Sequence, residues 1–428
     1  MERTIQRVLV ACRGEDGASV GRRIEAAGLE AVALYADADA EDTWLDEVAY
    51  AARIATDGDD PYRDGLKIVS AALDAGCDAV HPGTSPVALS AEHAHMVMNV
   101  GLAWVGSPPA ALEACADRAE VRRRARELGL PVVAASPALR DHGDVAIWIG
   151  RLGGSVRVTS TKRGRAPWVT GDAESLQAAL RRMGDDPIVV ERNLKPARHI
   201  VFGVVGDAGG SVLVLGDHER SLLRDGVVRV RESPAPALDD GARARIAEML
   251  PKLVASLGIV GVGAVEILVG EGRWWVHDVV PGLFPGFALH EEMYGLDLVH
   301  AQTRLAAGET LGWSQDEIAP AGCGVELTLC ATEPGVLEDV VLPEGVVAST
   351  VRAAGATVDV VRDPVLARLV VAGPMRHPVL VRARAALEEA AFPGVAHDTP
   401  ALAALLAEPR MWEGQTETGL FASRAIRE

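Results

Sequence analysis

A chain of 428 residues carries 42 Lys+Arg against 60 Asp+Glu, a formal charge of −18, and 49% of its residues are hydrophobic. This length supplies roughly two to four structural units, and no segment approaches the ~18 apolar residues needed to span a bilayer, so an integral membrane protein is excluded and a cytoplasmic address is expected. The acidic balance disfavours nucleic acid as a partner, and Cys12, Cys77, Cys115, Cys323 and Cys330, with no CxxC pair, exclude a disulfide scaffold or a zinc ribbon.

Residues 8–11 read as a strand, 18–27 as a helix closed by Gly28, and 31–35 as the next strand. A helix at 65–75 leads to a strand at 78–81, and a helix at 90–100 leads to a strand at 103–106. Strand and helix in repeated succession imply a doubly wound parallel sheet. After Ser107-Pro108-Pro109 a single Arg-rich helix is expected over 110–128, with Arg122-Arg123-Arg124 on a solvated face. From about 131 to 311 the strands at 155–160, 188–191, 200–205, 211–215, 264–269 and 273–278 are joined in part by Asp/Gly turns. Turn-linked strands mark antiparallel hairpins, hence an α+β section. Beyond about residue 321 come strands at 324–329 and 367–371 and a helix at 378–390.

Local motifs fall in a fixed order along these elements. They are Ala11-Cys12-Arg13-Gly14-Glu15, His81-Pro82-Gly83, Leu89-Ser90-Ala91-Glu92, Glu191-Arg192-Asn193-Leu194 with Arg198-His199, Glu232-Ser233-Pro234-Ala235-Pro236, and Gly263-Ala264-Val265-Glu266. Together they resemble biotin carboxylase, the ATP-grasp subunit or domain of biotin-dependent acyl-CoA carboxylases, and the resemblance covers nearly the whole chain. It implies a doubly wound N-terminal α/β lobe over 1–112, an ATP-grasp section over 113–320 with a lid near 131–190, and a C-terminal α+β unit over 321–428.

The family's reaction makes carboxyphosphate from MgATP and bicarbonate and then carboxylates biotin. That chemistry needs cations over the phosphates, acids for the metal, a cation for bicarbonate and a base. The resemblance places Glu266 and Asp278 as the metal pair, the second shortened from the usual Glu; without a metal they are hairpin acids. It places Arg118, Glu191, Leu194, His199 and Leu268 around the nucleotide, with adenine read by backbone groups at 191–194. His199 reads equally as a core or surface histidine.

The remaining machinery departs from the family. The lysine and glycine run that close over the triphosphate are replaced by the stretch from Arg157 to Arg165, in which Arg157, Lys162, Arg163 and Arg165 serve as point charges or as a solvated basic hairpin. The alternating positions that carry Asn, Arg, Gln and Glu in the family are Val280, Gly282, Phe284 and Gly286, which leaves no cation and no base on that strand face. The phosphate-side Gln and His correspond to Leu223 and Gly226, while Arg352 resembles the arginine that stabilises the biotin enolate. Three other candidates, Glu92-His93-Ala94-His95, Cys323 with Cys330, and Gly261-Val262-Gly263, are assigned to core packing.

Two functions stay open at this point. The first is a catalytically degenerate binding, structural or regulatory subunit of a biotin-dependent carboxylase system, with ATP and Mg2+ held weakly and biotin carried on another chain. The second is an active ATP-dependent ligase, either a biotin carboxylase or a ligase on another carboxylate, that uses displaced groups. Expected partners are a second copy in a homodimer, an intact biotin carboxylase paralogue in a heterodimer, and carboxyltransferase or biotin carrier subunits.

Overall fold

The computed structural model describes residues 4–55, 60–140, 142–153, 155–160, 168–170, 178, 180–181, 186–195, 197–417 and 419–421. The first lobe is a five-stranded parallel sheet of β1 (Arg7–Val10), β2 (Glu30–Ala36), β3 (Tyr50–Ile54), β4 (Ala79–His81) and β5 (Ala103–Trp104) in the order β3-β2-β1-β4-β5. Helices α1 (Gly14–Ala26), α2 (Gly65–Asp74) and α3 (Ala91–Asn99) make the crossovers. Strands covered on both faces are apolar throughout, and Val8, Leu9 and Val10 are fully buried. The order reverses between β1 and β4, so the loops after Ala11 and His81 meet at the switch point, where Ala11 N donates to His81 O at 2.9 Å.

The helix expected over 110–128 is two helices, α4 (Pro109–Ala116) and α5 (Arg118–Glu127). Asp117 breaks it with φ −92° and ψ 103°, and its carboxylate accepts from Ala119 N at 2.8 Å. A short acid that caps free N–H groups competes with helix continuation, which is why Asp is favoured here. The same break carries Arg122 inward. It is 5% exposed and ion-paired to buried Glu191, so the solvated basic face expected at 122–124 is a correction at its first member.

α6 (His142–Leu152) packs on a small sheet of β6 (Val156–Ser160), β7 (Trp168–Thr170) and β8 (Ile188–Arg192). An eight-stranded antiparallel sheet follows. Its first five strands in sequence are β9 (Arg198–Gly206), β10 (Val212–Arg224), β11 (Val227–Ser233), β12 (Gly261–Gly270) and β13 (Arg273–Val280). α7 (Asp240–Leu257) covers one face through Ile246, Leu250, Leu253 and Val254. Helices α8 (Phe287–Tyr294) and α9 (Leu298–Ala306) come next.

The last strands are β14 (Cys323–Cys330), β15 (Gly335–Val336), β16 (Val347–Ser349), β17 (Thr357–Val358) and β18 (Val365–Gly373). The large sheet runs β13-β12-β9-β10-β11-β14-β18-β16, so β14 joins β11 with Val230 opposite Leu327. The segment beyond 321 therefore completes the central sheet, while α10 (Arg376–Glu389), α11 (Thr399–Leu406) and α12 (Pro409–Trp412) close its apolar side. No described helix is long and apolar enough to cross a membrane.

Candidate functional site

The site grows from three adjacent strands. β12 pairs with β13 in antiparallel register with Glu266 opposite Asp278, and β9 flanks β12 with His199 opposite Leu268. A bulge after Glu266 adds His277, whose ring lies edge-on to that of His199 at 5.5 Å between centroids. The backbone thus brings together Glu266, Asp278, His199 and Leu268. Leu194 and Leu268 enter a small apolar cluster with Val133, Ala197 and Trp275. Leu194 N makes no hydrogen bond among the described residues, as a backbone hinge for a heterocycle requires. Lys162, Arg163 and Arg165 of the basic stretch lie outside the described residues.

Each acid of this cleft already has a guanidinium. Glu266 accepts from Arg220 Nη1 at 2.6 Å and lies 3.0 Å from His199 Nε2. Asp278 accepts from Arg118 Nε at 3.1 Å and, through its other oxygen, from Val279 N at 2.8 Å. Glu191 is paired with Arg122. Burial opposes charge on Glu266, yet Arg220 and then His199 hold its carboxyl well below the usual carboxylate range. Burial and neighbouring His199 push His277 well below the usual imidazole range, so it stays neutral. Arg157, opposite Glu191 in register, makes no ion pair among the described residues. Its charge is felt by Glu191 and Glu266 of the cleft. Mg2+ at a nucleotide site takes one or two carboxylates and completes its octahedron with phosphate oxygens and water, so it needs carboxylate oxygens open to it. Here both carboxylates are already hydrogen-bonded to arginines, Glu266 to Arg220 and Asp278 to Arg118. A donor pair neutralised in this way does not fit the metal.

The stretch after Asp278 departs from the expected strand. β13 ends at Val280, because Pro281 cannot donate to a ladder, and Val280, Gly282, Phe284 and Gly286 do not line one strand face. Gly282 lies by Ala88 of the first lobe, and Gly286 turns the chain at φ +95° into α8. Phe284 is 2% exposed and stacks on His218 with centroids at 6.1 Å and edge-on to His290 at 5.1 Å. The two imidazoles share a hydrogen bond of 2.8 Å between His218 Nδ1 and His290 Nε2. A methyl on Gly203 would come 2.9 Å from Phe284 Cζ, so the glycine admits the ring. Those four positions carry no cation, but one from another strand comes beside them. Arg231 arrives from β11, its Nε 3.1 Å from where a Cβ on Gly286 would lie, and it is ion-paired to Glu326.

Other assigned residues stand apart. Arg352 reaches none of these groups: its guanidinium is held by Asp42 at 3.3 Å and Asp363 at 2.8 Å. Leu223 is 37% exposed and Gly226 forms the β10–β11 turn, so neither presents a side chain to the cleft. His95 is exposed rather than packed in a core, while His93 bonds Ser90 and the Arg63 carbonyl. Burial raises Asp42 to about 7 against the pull of Arg352, and its Oδ2 has no partner. A folded value above the ordinary 3.8 means that the folded state binds the extra proton, so this contribution is full below about pH 4 and lost through about pH 7. Thermal melts from pH 4 to 7 should therefore show a fall in stability that Asp42→Asn flattens; an unchanged slope contradicts the assignment.

Residues 4–112 match the family described as biotin carboxylase, N-terminal domain; 109–314 match the carbamoyl-phosphate synthase L chain, ATP binding domain; and 328–423 match the biotin carboxylase C-terminal domain. The biotin-dependent acyl-coenzyme A carboxylase alpha3 subunit of Mycobacterium leprae is 31% identical over 95% of this chain and 72% of that protein. A biotin carboxylase of Halalkalibacterium halodurans is 27% identical over 98% of this chain and 97% of its own length. Among solved structures, the biotin carboxylase of Campylobacter jejuni superposes with a TM-score of 0.93 at 23% identity over 98% of this chain and 99% of that one. The biotin carboxylase domain dimer of Hydrogenobacter thermophilus 2-oxoglutarate carboxylase, in complex with MgADP and bicarbonate, superposes at 0.92 and 24% identity over 98% of both chains.

Proposed function

The chain belongs to the biotin carboxylase family, and from that premise we propose that it is a non-carboxylating subunit of a biotin-dependent carboxylase system that keeps a nucleotide cleft. One observation supports the reading: Phe284, at a position that by resemblance belongs to the family's bicarbonate groups, is an apolar ring packed against the His218–His290 pair. An apolar ring supplies neither an anion-binding cation nor a base, and the loss of a positioned base alone costs about 10²–10⁴ in rate. ATP turnover should accordingly be unchanged by bicarbonate and free biotin; stimulation by both together contradicts the reading.

A second reading has its own support. Arg231 Nε and His218 Nε2 are buried and unpartnered beside Gly286, a cation and an imidazole brought in from β11 and β10. A ligase acting on another carboxylate would use this pair, and ATP turnover that rises on addition of such an acid but not of bicarbonate would select it. For assembly, the Hydrogenobacter relative is a dimer, and we propose a homodimer or a heterodimer with an intact paralogue. Light scattering of the chain alone and mixed with such a paralogue tests this, and monomer in both contradicts it.

A further inference from the structure

The strand order explains how an arginine comes to stand at Glu266. β10 lies two strands from β12, with β9 between them. Two inter-strand steps amount to about 9.5 Å, a span that the Arg220 and Glu266 side chains close by reaching toward each other. Arg220 makes that reach and ends 2.6 Å from Glu266 Oε1, while Arg118, placed by the helix break at Asp117, ends 3.1 Å from Asp278 Oδ2. The two acids that face each other across the β12–β13 ladder are therefore each neutralised by a cation from a different part of the chain. Arg157 adds a further positive charge that makes no ion pair among the described residues.

We propose that Arg220 and Arg118 take the charge-neutralising place of the divalent cation, so that this cleft binds an anionic nucleotide without metal. The inference rests on the reading that the cleft still accepts nucleotide, but it makes a claim about metal that can fail separately. An arginine is a fixed cation and cannot be removed by a chelator. A metal would have to displace two hydrogen-bonded guanidiniums, Arg220 at 2.6 Å from Glu266 and Arg118 at 3.1 Å from Asp278.

Mn2+ titration followed by electron paramagnetic resonance, with calorimetry of ATP in MgCl2 and in EDTA, tests the proposal on the full chain. The wild type should show no Mn2+ site to millimolar metal, and its ATP affinity should agree within about twofold with and without Mg2+. Arg220→Ala should gain a Mn2+ site that a further Glu266→Gln change removes. A wild-type Mn2+ site lost in Glu266→Gln, ATP binding tenfold or more tighter with Mg2+, or an Arg220→Ala protein that still refuses Mn2+ would each overturn it. Absence of any ATP binding would sink the nucleotide reading, while the Mn2+ titration would still decide whether the arginines exclude metal.

Discussion

Glu326→Ala should lower stability by about 3–5 kcal/mol, because it strands a buried guanidinium. Glu326 and Arg231 face each other across β14 and β11, and their side chains are 2% and 7% exposed. Burial already works against charge on Arg231, with Glu326 as the first group that favours it, through Nη1, while Arg231 Nε is buried without a hydrogen-bond partner among the described residues. Removal of the carboxylate leaves the desolvation of the cation in place with only the weaker pull of Asp16 to offset it. The paired change Arg231→Met with Glu326→Leu should cost far less, since two apolar groups of similar volume need no partner. Denaturant midpoints for the single and double variants decide between these outcomes. Equal losses would mean that packing, not charge, governs this part of the sheet.

Phe284→Ala should cost about 3–5 kcal/mol, through lost transfer energy and the cavity left between Gly203, His218 and His290. The cost should fall toward the lower end if water enters, because His218 Nε2 is buried without a hydrogen-bond partner and a polar cavity can be hydrated. The variant should also remain unresponsive to bicarbonate. Opening space restores neither the alternating cation nor the base, since Gly282 and Gly286 still flank it. A bicarbonate-dependent rise in ATP turnover in Phe284→Ala would show instead that the ring only blocks a complete site.

The first lobe was legible in the sequence because parallel strands buried on both faces appear as unbroken apolar runs, as at Val8, Leu9 and Val10. β10 was read only as 211–215. At Gly216 the chain takes φ +93° where a side chain would collide with Tyr294, and register shifts between Val214 and Asp217 and again after Glu219 hide the period of two. The charged stretch 217–232 shows no regular apolar alternation and carries no predicted element, although Asp217, Glu219, Arg229, Arg231 and Glu232 are buried and ion-paired. Asp117 was visible as a residue but not as a helix break, because its capping role depends on backbone angles.

The same limit governs the site. Motif order placed Glu266 and Asp278 on neighbouring strands, and the ladder sets them opposite each other. It gave no access to Arg220, Arg231 or Arg122, whose partners lie 46, 95 and 69 residues away and are fixed by strand order and a helix break. Attention to every basic residue within 217–232, rather than to Leu223 and Gly226 alone, was the one sequence clue to the arginines on β10 and β11. The expectation that Val280 to Gly286 continue a strand failed at Pro281, a residue that argues against a central strand on its own.

The most direct test of the account is fixation of labelled bicarbonate onto free biotin in the presence of MgATP, with an intact biotin carboxylase run beside this chain. The account predicts no labelled carboxybiotin above a no-enzyme control from this chain and none from Phe284→Ala. Time-dependent, ATP-dependent label in biotin from the wild-type chain would contradict it and would make the Arg231–His218 arrangement the place to look for the catalytic groups.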